Sequence, residues 1–446
     1  MNQSLTNIEK HLPVPRNSRT ANSDADWLCK LKAEGANNFS RLGFPTARKG
    51  NERWKYTDVA PIAKSDFEFG NDVKEPADIS LDTVTQSVPT GLNWHQLVLV
   101  DGVFSETLSS QALTNPEIEI SSLSTVLNSN DKTVQEYLAK SISPDSDGFV
   151  ALNTACIDEG VFLHLAPNAK IDHPIHIIFV STGLNQITIS NPRILLIAES
   201  GSKATVIETY IALSDHKYFT NCVSEMVLQE NSTIDHYRLQ NESESAFHIT
   251  NAKVTQSSGS TYTSSSFSRG SALGRYDLSV FLNGSDSYCN LNGLYVTANS
   301  QHQDNNINIE HAQPNTTSRL AYKGILDGRS KAVFGGTVLV QQNAQKTDAI
   351  QSDKNLVLSP NAEVDSKPAL FIYADDVKCG HGATAGNIDE ETIFYMRSRG
   401  LDIETASKML IYGFAKEVID TVHNNELKLY LESIFLNSLP SYRFEF

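Results

Sequence analysis

The chain has 446 residues, more than one average domain needs, so a large core is available without disulfide or metal staples. Its 52 acidic against 36 basic residues give a net charge of -16, a field that repels nucleic acid and anionic lipid, and no basic stripe overrules it. The five cysteines, Cys29, Cys156, Cys222, Cys289 and Cys379, are scattered without disulfide-framework or zinc-finger spacing, as suits a reducing cytosol. Apolar runs such as 194–198 are too short to span a bilayer, and the first thirty residues carry no apolar run with a basic flank. The expectation is a cytoplasmic protein with no membrane and no nucleic-acid partner.

Residues 24–34 predict a short helix with Trp27, Leu28 and Leu31 on one face; Gly35 weakens or ends it, and Gly43-Phe44-Pro45 breaks it. The stretch 45–58 places Trp54 and Tyr56 among positive charges, an aromatic knot that packs a small subdomain. Asp101-Gly102, inside the alternating segment 97–105, signals a hairpin. Val134, Tyr137 and Leu138 fit one face of a helix over 132–141.

From 148 to 373 the composition changes to short runs rich in Val, Ile, Thr and Tyr separated by turn residues, with no helix of ordinary length expected. Leu165-Ala-Pro-Asn-Ala-Lys-Ile-Asp172 nearly repeats as Leu358-Ser-Pro-Asn-Ala-Glu-Val-Asp365, with weaker relatives beginning at Glu199, Glu230 and Asp327. One recurring turn-plus-strand unit is what the stacked coils of a solenoid need. A sandwich of antiparallel hairpins competes, but Asn-Gly and Asp-Gly pairs are too few and irregular for it. The fold class expected is therefore mainly β, a parallel β-helix with helical ends: residues 1–147 mixed, 148–386 the β-helix, 387–446 helical. Polar groups gathered at 303–311 and 316–323 fit stacked ladders, and a lone imidazole such as His311 is more often hydrogen-bonded structure than a ligand.

The stretch from Ala374 to Gly386 concentrates the chemistry in Cys379 and His381, separated by one glycine. In an extended backbone both side chains address one side, and thiolate with imidazole suits zinc, copper or an iron-sulfur setting. Two ligands do not close a site, so the others must come from the fold or from another chain. The alternative is that Cys379 is an ordinary small hydrophobe.

Asp389 is placed to cap a helix running from Glu390 and Glu391 to Arg397, Arg399 and Gly400, with Ile388 and Ile393 as a hydrophobic staple. Asp402 is placed to cap a longer helix whose Ala406, Leu410, Phe414 and Val418 form a stripe widened by Met409 and Ile411. A third helix follows Asn425. These helices either cap the last coil or dock a partner, and the sequence alone leaves both open.

With Glu52-Arg-Trp-Lys-Tyr-Thr57, His311, Pro314, Ser318, Tyr322-Lys-Gly324, Asn355-Leu-Val-Leu-Ser359, Ala374-Asp-Asp-Val-Lys-Cys-Gly-His-Gly-Ala-Thr384 and Phe394-Tyr-Met-Arg-Ser-Arg-Gly400 in view, the chain resembles the SufB/SufD family. These are scaffold subunits of the SUF iron-sulfur cluster assembly system, and the likeness runs in order from about residue 44 to 419. Gly382 follows His381 where SufB-type chains carry glutamate, which sets this chain apart from them and leaves their sulfur-accepting cysteines without counterparts here.

The resemblance implies a right-handed parallel β-helix and no enzymatic activity. It implies SufB as partner, the ATPase SufC on the C-terminal helices, and sulfur reaching the complex from the SufS/SufE donors through SufB. A nascent iron-sulfur cluster or iron, transient and shared with SufB, would involve His381 and Cys379. Asp389, Phe394, Tyr395, Arg397, Arg399, Leu410, Phe414 and Val418 would face the ATPase. Reduced flavin is implied for the family complex, although no GxGxxG fingerprint occurs in this sequence. A homodimer in the absence of SufB stays open. Two other classes compete: a β-helix enzyme acting on acidic polysaccharide, disfavoured by the acidic charge balance, and a stand-alone metal store built from scattered Cys and His.

Overall fold

A computed structural model describes residues 25–47, 51–69, 79–110, 113–129, 131–183 and 187–438. Residue 24 of the expected first helix and residues 439–446 lie outside them.

The centre of the fold is a parallel β-solenoid. Eight pairs of strands, from Gly160–Leu165 with Ile175–Ser181 to Glu363–Ile372 with Lys378–Gly386, alternate between two facing sheets. Within each sheet every strand from Gly160 onward pairs in parallel with the strand one coil away on its own face. Such strands are buried on both sides, so polar as well as apolar residues of the central ones are buried and the burial shows no clean alternation. The hairpin at Asp101-Gly102 is present, and it joins the second sheet through parallel pairing of His95–Val100 with Ile175–Ser181.

One corner of the solenoid explains the turns that begin at Leu165, Glu199 and Glu230, while their relatives at Asp327 and Leu358 lie at the opposite corner. Asn168, Gly201, Asn231, Gly259, Asp286, Asn315 and Lys346 all adopt positive φ. Each N–H in turn donates to a carbonyl of the following coil: Asn168 to Ser200, Gly201 to Glu230, Asn231 to Ser258, and so on to Lys346 and Asp376. The left-handed conformation turns the amide along the solenoid axis, and Asn, Asp and Gly adopt it at least cost. At Gly201 and Gly259 a Cβ would stand 2.5 and 2.3 Å from the Oδ1 of Asn168 and Asn231, so these corners require glycine twice over. The coils differ in length, 26 residues from Phe247 to its partner Leu273 but 31 from Thr317 to Asp348. This drift accounts for the irregular repeat in the sequence.

The interior is filled by inward rows such as Ile175, Val206, Ile234, Tyr262, Cys289 and Leu320. N-terminal elements cover the outer face of the first sheet, where Phe39, Trp54 and Phe149 meet Phe219, Phe247 and Leu273. The C-terminal helices cover the outer face of the second, where Ile411, Ala415 and Val418 meet Leu239, Phe267, Leu294 and Ile325.

Two helices depart from the sequence expectation. The first, Asp26–Leu42, runs straight through Gly35. A Cβ there would lie 2.5 Å from the backbone N of Ala155, so glycine permits close helix contact that outweighs its loss of about 1 kcal/mol in propensity. The second, Gly148–Ala155, lies where only strands were expected; Asp147 caps it, and every residue is buried. A helix buried all round, with even Asn153 and Thr154 inside, carries no amphipathic period to read. Among the described residues no helix is long and apolar enough to cross a membrane.

Candidate functional site at the open end of the solenoid

Lys378–Gly386 is the last strand of the second sheet, with Cys379 in register on Ala349 and His381 on Gln351. Ala349 continues the row of Ser318 and Cys289, and Gln351 that of Leu320 and Leu291. These rows line the buried interior of every earlier coil. Cys379 and His381 therefore sit on interior-facing positions of a coil that no further described coil covers; Cys379 is half-buried and His381 exposed. Burial first, and Asp348 second, push the Cys379 thiol above its ordinary value, so at neutral pH it is protonated until a cation draws off the proton.

Two residues apart on one strand, the thiol and the imidazole are about 6.6 Å apart at the backbone and project to one side. That pair can offer two ligands to one centre but cannot enclose it. Among the described residues no group of three or more His, Cys, Asp or Glu side chains is placed to hold a metal.

Beneath them the interior turns polar. Asp353, on the coil below and in register with Ala383, accepts hydrogen bonds from Ser366 Oγ at 2.6 Å and Asn355 Nδ2 at 2.8 Å. Burial lifts its carboxyl to about 6 despite those two bonds. Its Oδ1 and the Oε1 of neighbouring Gln351 have no protein partner. The sequence reading missed Asp353. The available signal was alternation, since Ala349, Gln351, Asp353 and Asn355 share one face and three of them are polar at positions that face the core.

The rim is apolar and flat. Phe371, Ile372 and Tyr373 are exposed, and both final strands end their sheets, leaving unpaired backbone edges. A Cβ at Gly382 or Gly386 would meet nothing within 4 Å, and one at Gly380 only Ile350 Cδ1 at 3.7 Å. The chain's own packing does not require glycine at these three positions.

His311 is a core residue. Its Nδ1 bonds Thr316 Oγ1 at 2.7 Å and its Nε2 bonds Ser318 Oγ at 2.9 Å, while burial lowers it to about 4. The charged group of Arg53, Arg275, Asp277 and Asp304 lies at the N-terminal knot, where Arg275 stacks 4.0 Å from the Trp54 ring. It holds that knot to the sheet.

The terminal helices begin at Asp389 and Asp402, whose carboxylates accept from the N–H of Thr392 and Thr405. Phe394 is 74% exposed and Tyr395 59%, with Arg397 and Arg399 exposed beside them, and Phe394 and Arg397 line an open hollow of about 690 Å³. Leu410 and Phe414 are half-buried against the apolar seam. Val418, at 4% exposure, packs inward with Ala406, Ile411, Ala415 and Ile419. Lys323 fixes this orientation, with its Nζ donating to Phe414 O at 2.9 Å and pairing with Glu417 Oε2 at 2.6 Å.

Two family profiles match in tandem. The first, SufBD protein N-terminal region, covers residues 16–177; the second, SUF system FeS cluster assembly, SufBD core domain, covers 179–414. The chain belongs to the SufB/SufD family. It is 30% identical over 439 residues to the iron-sulfur cluster assembly protein SufD of Escherichia coli, covering 92% of this chain and 95% of that one. An iron-sulfur cluster assembly SufBD family protein of Synechocystis is also 30% identical, over 94% and 92%. SufD of Bacillus subtilis is 23% identical over 92% and 93%. The SufB/SufD chain described here is thus SufD-like, and its family works in iron-sulfur cluster assembly.

Proposed function

We propose that this chain is a non-enzymatic scaffold subunit that pairs through its open solenoid end with SufB and presents a half-site for a nascent cluster. The observation that carries the proposal is the placement of Cys379 and His381 on interior-facing positions of an uncovered last coil. A partner coil laid against that end would supply the missing ligands and cover Phe371, Ile372 and Tyr373. Gly380, Gly382 and Gly386 keep the edge low enough for a second backbone to approach.

In this reading the cluster is cargo. His381 binds iron as a neutral ligand, which holds less tightly than a fourth thiolate and suits transfer. Cys379 assists, losing its proton to the bound metal's field. SufC docks on the outward side of the terminal helices at Phe394, Tyr395, Arg397 and Arg399, and the SufS/SufE donors reach the site through SufB. Without SufB, the same apolar rim would join two copies of this chain. Reduced flavin belongs to the family resemblance, and no residue is assigned to it. The setting is cytoplasmic, and the fold carries no catalytic assignment.

The test is anaerobic reconstitution of the purified chain with SufB and SufC from the same source. H381A should assemble a complex of normal stoichiometry that retains much less iron and sulfide than wild type. A metal store would instead load the isolated chain to the same level.

A further inference from the structure

A second candidate site lies on the outer face of the first sheet. A groove of about 830 Å³ crosses five strands, from Phe247–Gln256 to Glu363–Ile372, a span of about 19 Å at about 4.8 Å per strand. Residues 140–146 and the N-terminal knot form its wall. In a chain with a net charge of -16, this groove is lined by four basic side chains, Arg53, Lys140, Lys253 and Lys367, against two acidic ones, Glu52 and Asp277.

Arg53 is spent on Asp277, and Lys367 donates to the Glu52 carbonyl. Lys253 is different. It is half-buried with its Nζ 4.1 Å from the Phe281 ring centre, and no ion pair reaches it among the described residues. The two carboxylates whose charge reaches it make no ion pair with it: Glu225 is paired with Arg193, and Glu310 accepts from the Gln341 amide and keeps its charge. In register with Lys253 stand Glu225 on one side and Ser279 and Asn308 on the other, the last two without a side-chain hydrogen bond among the described residues, and one row over is Asn251, 4% exposed, whose Nδ2 donor is also unpartnered. An unpaired ammonium, a buried amide donor and a polar ladder on one floor fit an anionic oxygen group. Phe281 and Ile142 beside them fit a flat apolar body.

We propose that this groove binds a small organic anion, its phosphate or carboxylate held by Lys253 and Asn251 and its apolar body lying against Phe281 and Ile142. The test uses the full chain at fixed ionic strength with phenyl phosphate and, separately, benzene-1,3-dicarboxylate, followed by saturation-transfer NMR. The proposal expects ring saturation from at least one probe, the better one identifying the acid group. Affinity should fall about tenfold in K253Q, the worth of one charge-assisted hydrogen bond, and stay unchanged in K203Q on the opposite sheet. N308L, which fills the floor without touching the lysine, should weaken binding as well. Absence of binding by both probes, or equal binding by wild type and K253Q, overturns the proposal.

Discussion

His381 stands in parallel register on Gln351, at a position whose equivalents in the earlier coils, Leu320 and Leu291, are buried core. The same row that makes the interior of the solenoid thus ends in an exposed imidazole. A core position becomes an exposed one because the stack stops there.

Asp353, one coil beneath, makes stability depend on pH. Its carboxyl titrates at about 6 when folded against 3.8 ordinarily, so folding favours the protonated form. The contribution is therefore present below about pH 4, is lost as pH rises toward 6, and is absent above. In urea unfolding, D353N should gain stability relative to wild type across that window, by on the order of 2 kcal/mol. A pH-independent difference would show that Asp353 is not held protonated.

Glu225 ties the N-terminal region to the solenoid. It receives Arg193 Nη2 at 2.6 Å and the N–H groups of Ala139, Ser141 and Ile142. Both partners of the ion pair are buried, so R193M strands a carboxylate and should cost about 3–5 kcal/mol in equilibrium unfolding.

Lys323 anchors the long terminal helix from within the sheet. K323M keeps most of its packing against Phe414 but loses the bond to the Phe414 carbonyl, an expected cost of about 1–2 kcal/mol. E417Q should cost below about 1 kcal/mol, because that carboxylate is largely exposed. Thermal unfolding of the two variants checks the order.

The solenoid was legible because its corners need a left-handed residue, so Asn168, Gly201 and Asn231 recur beside turn-plus-strand patterns. The terminal helices were legible from Asp389 and Asp402, whose caps act within one turn of chain. What the sequence hid depends on distant neighbours. Gly35 reads as a breaker until Ala155 is seen against it, and Gly148–Ala155 is too apolar to show a helical face. Val418 sits on a stripe that local spacing defines, but which side of that stripe meets the sheet is set by Lys323, nearly a hundred residues earlier. Asp353 was passed over because its partners Ser366 and Asn355 converge only when two coils stack.

The same orientation separates docking from capping in the terminal helices. F394A combined with R397A should abolish or strongly weaken SufC binding with unfolding unchanged within about 0.5 kcal/mol, since both side chains are exposed. V418A should do the reverse, lowering stability by about 1–3 kcal/mol while the folded fraction still binds. Removing the helices altogether would strip the cover from Leu239, Phe267 and Leu294, so point variants are the cleaner test.

The most direct measurement is the iron and sulfide content of the complex with SufB and SufC after anaerobic reconstitution, compared between wild type, H381A and C379A. The half-site account predicts intact complexes in all three, the largest loss of cluster in H381A and a smaller loss in C379A. Full cluster content in an intact H381A complex would contradict it.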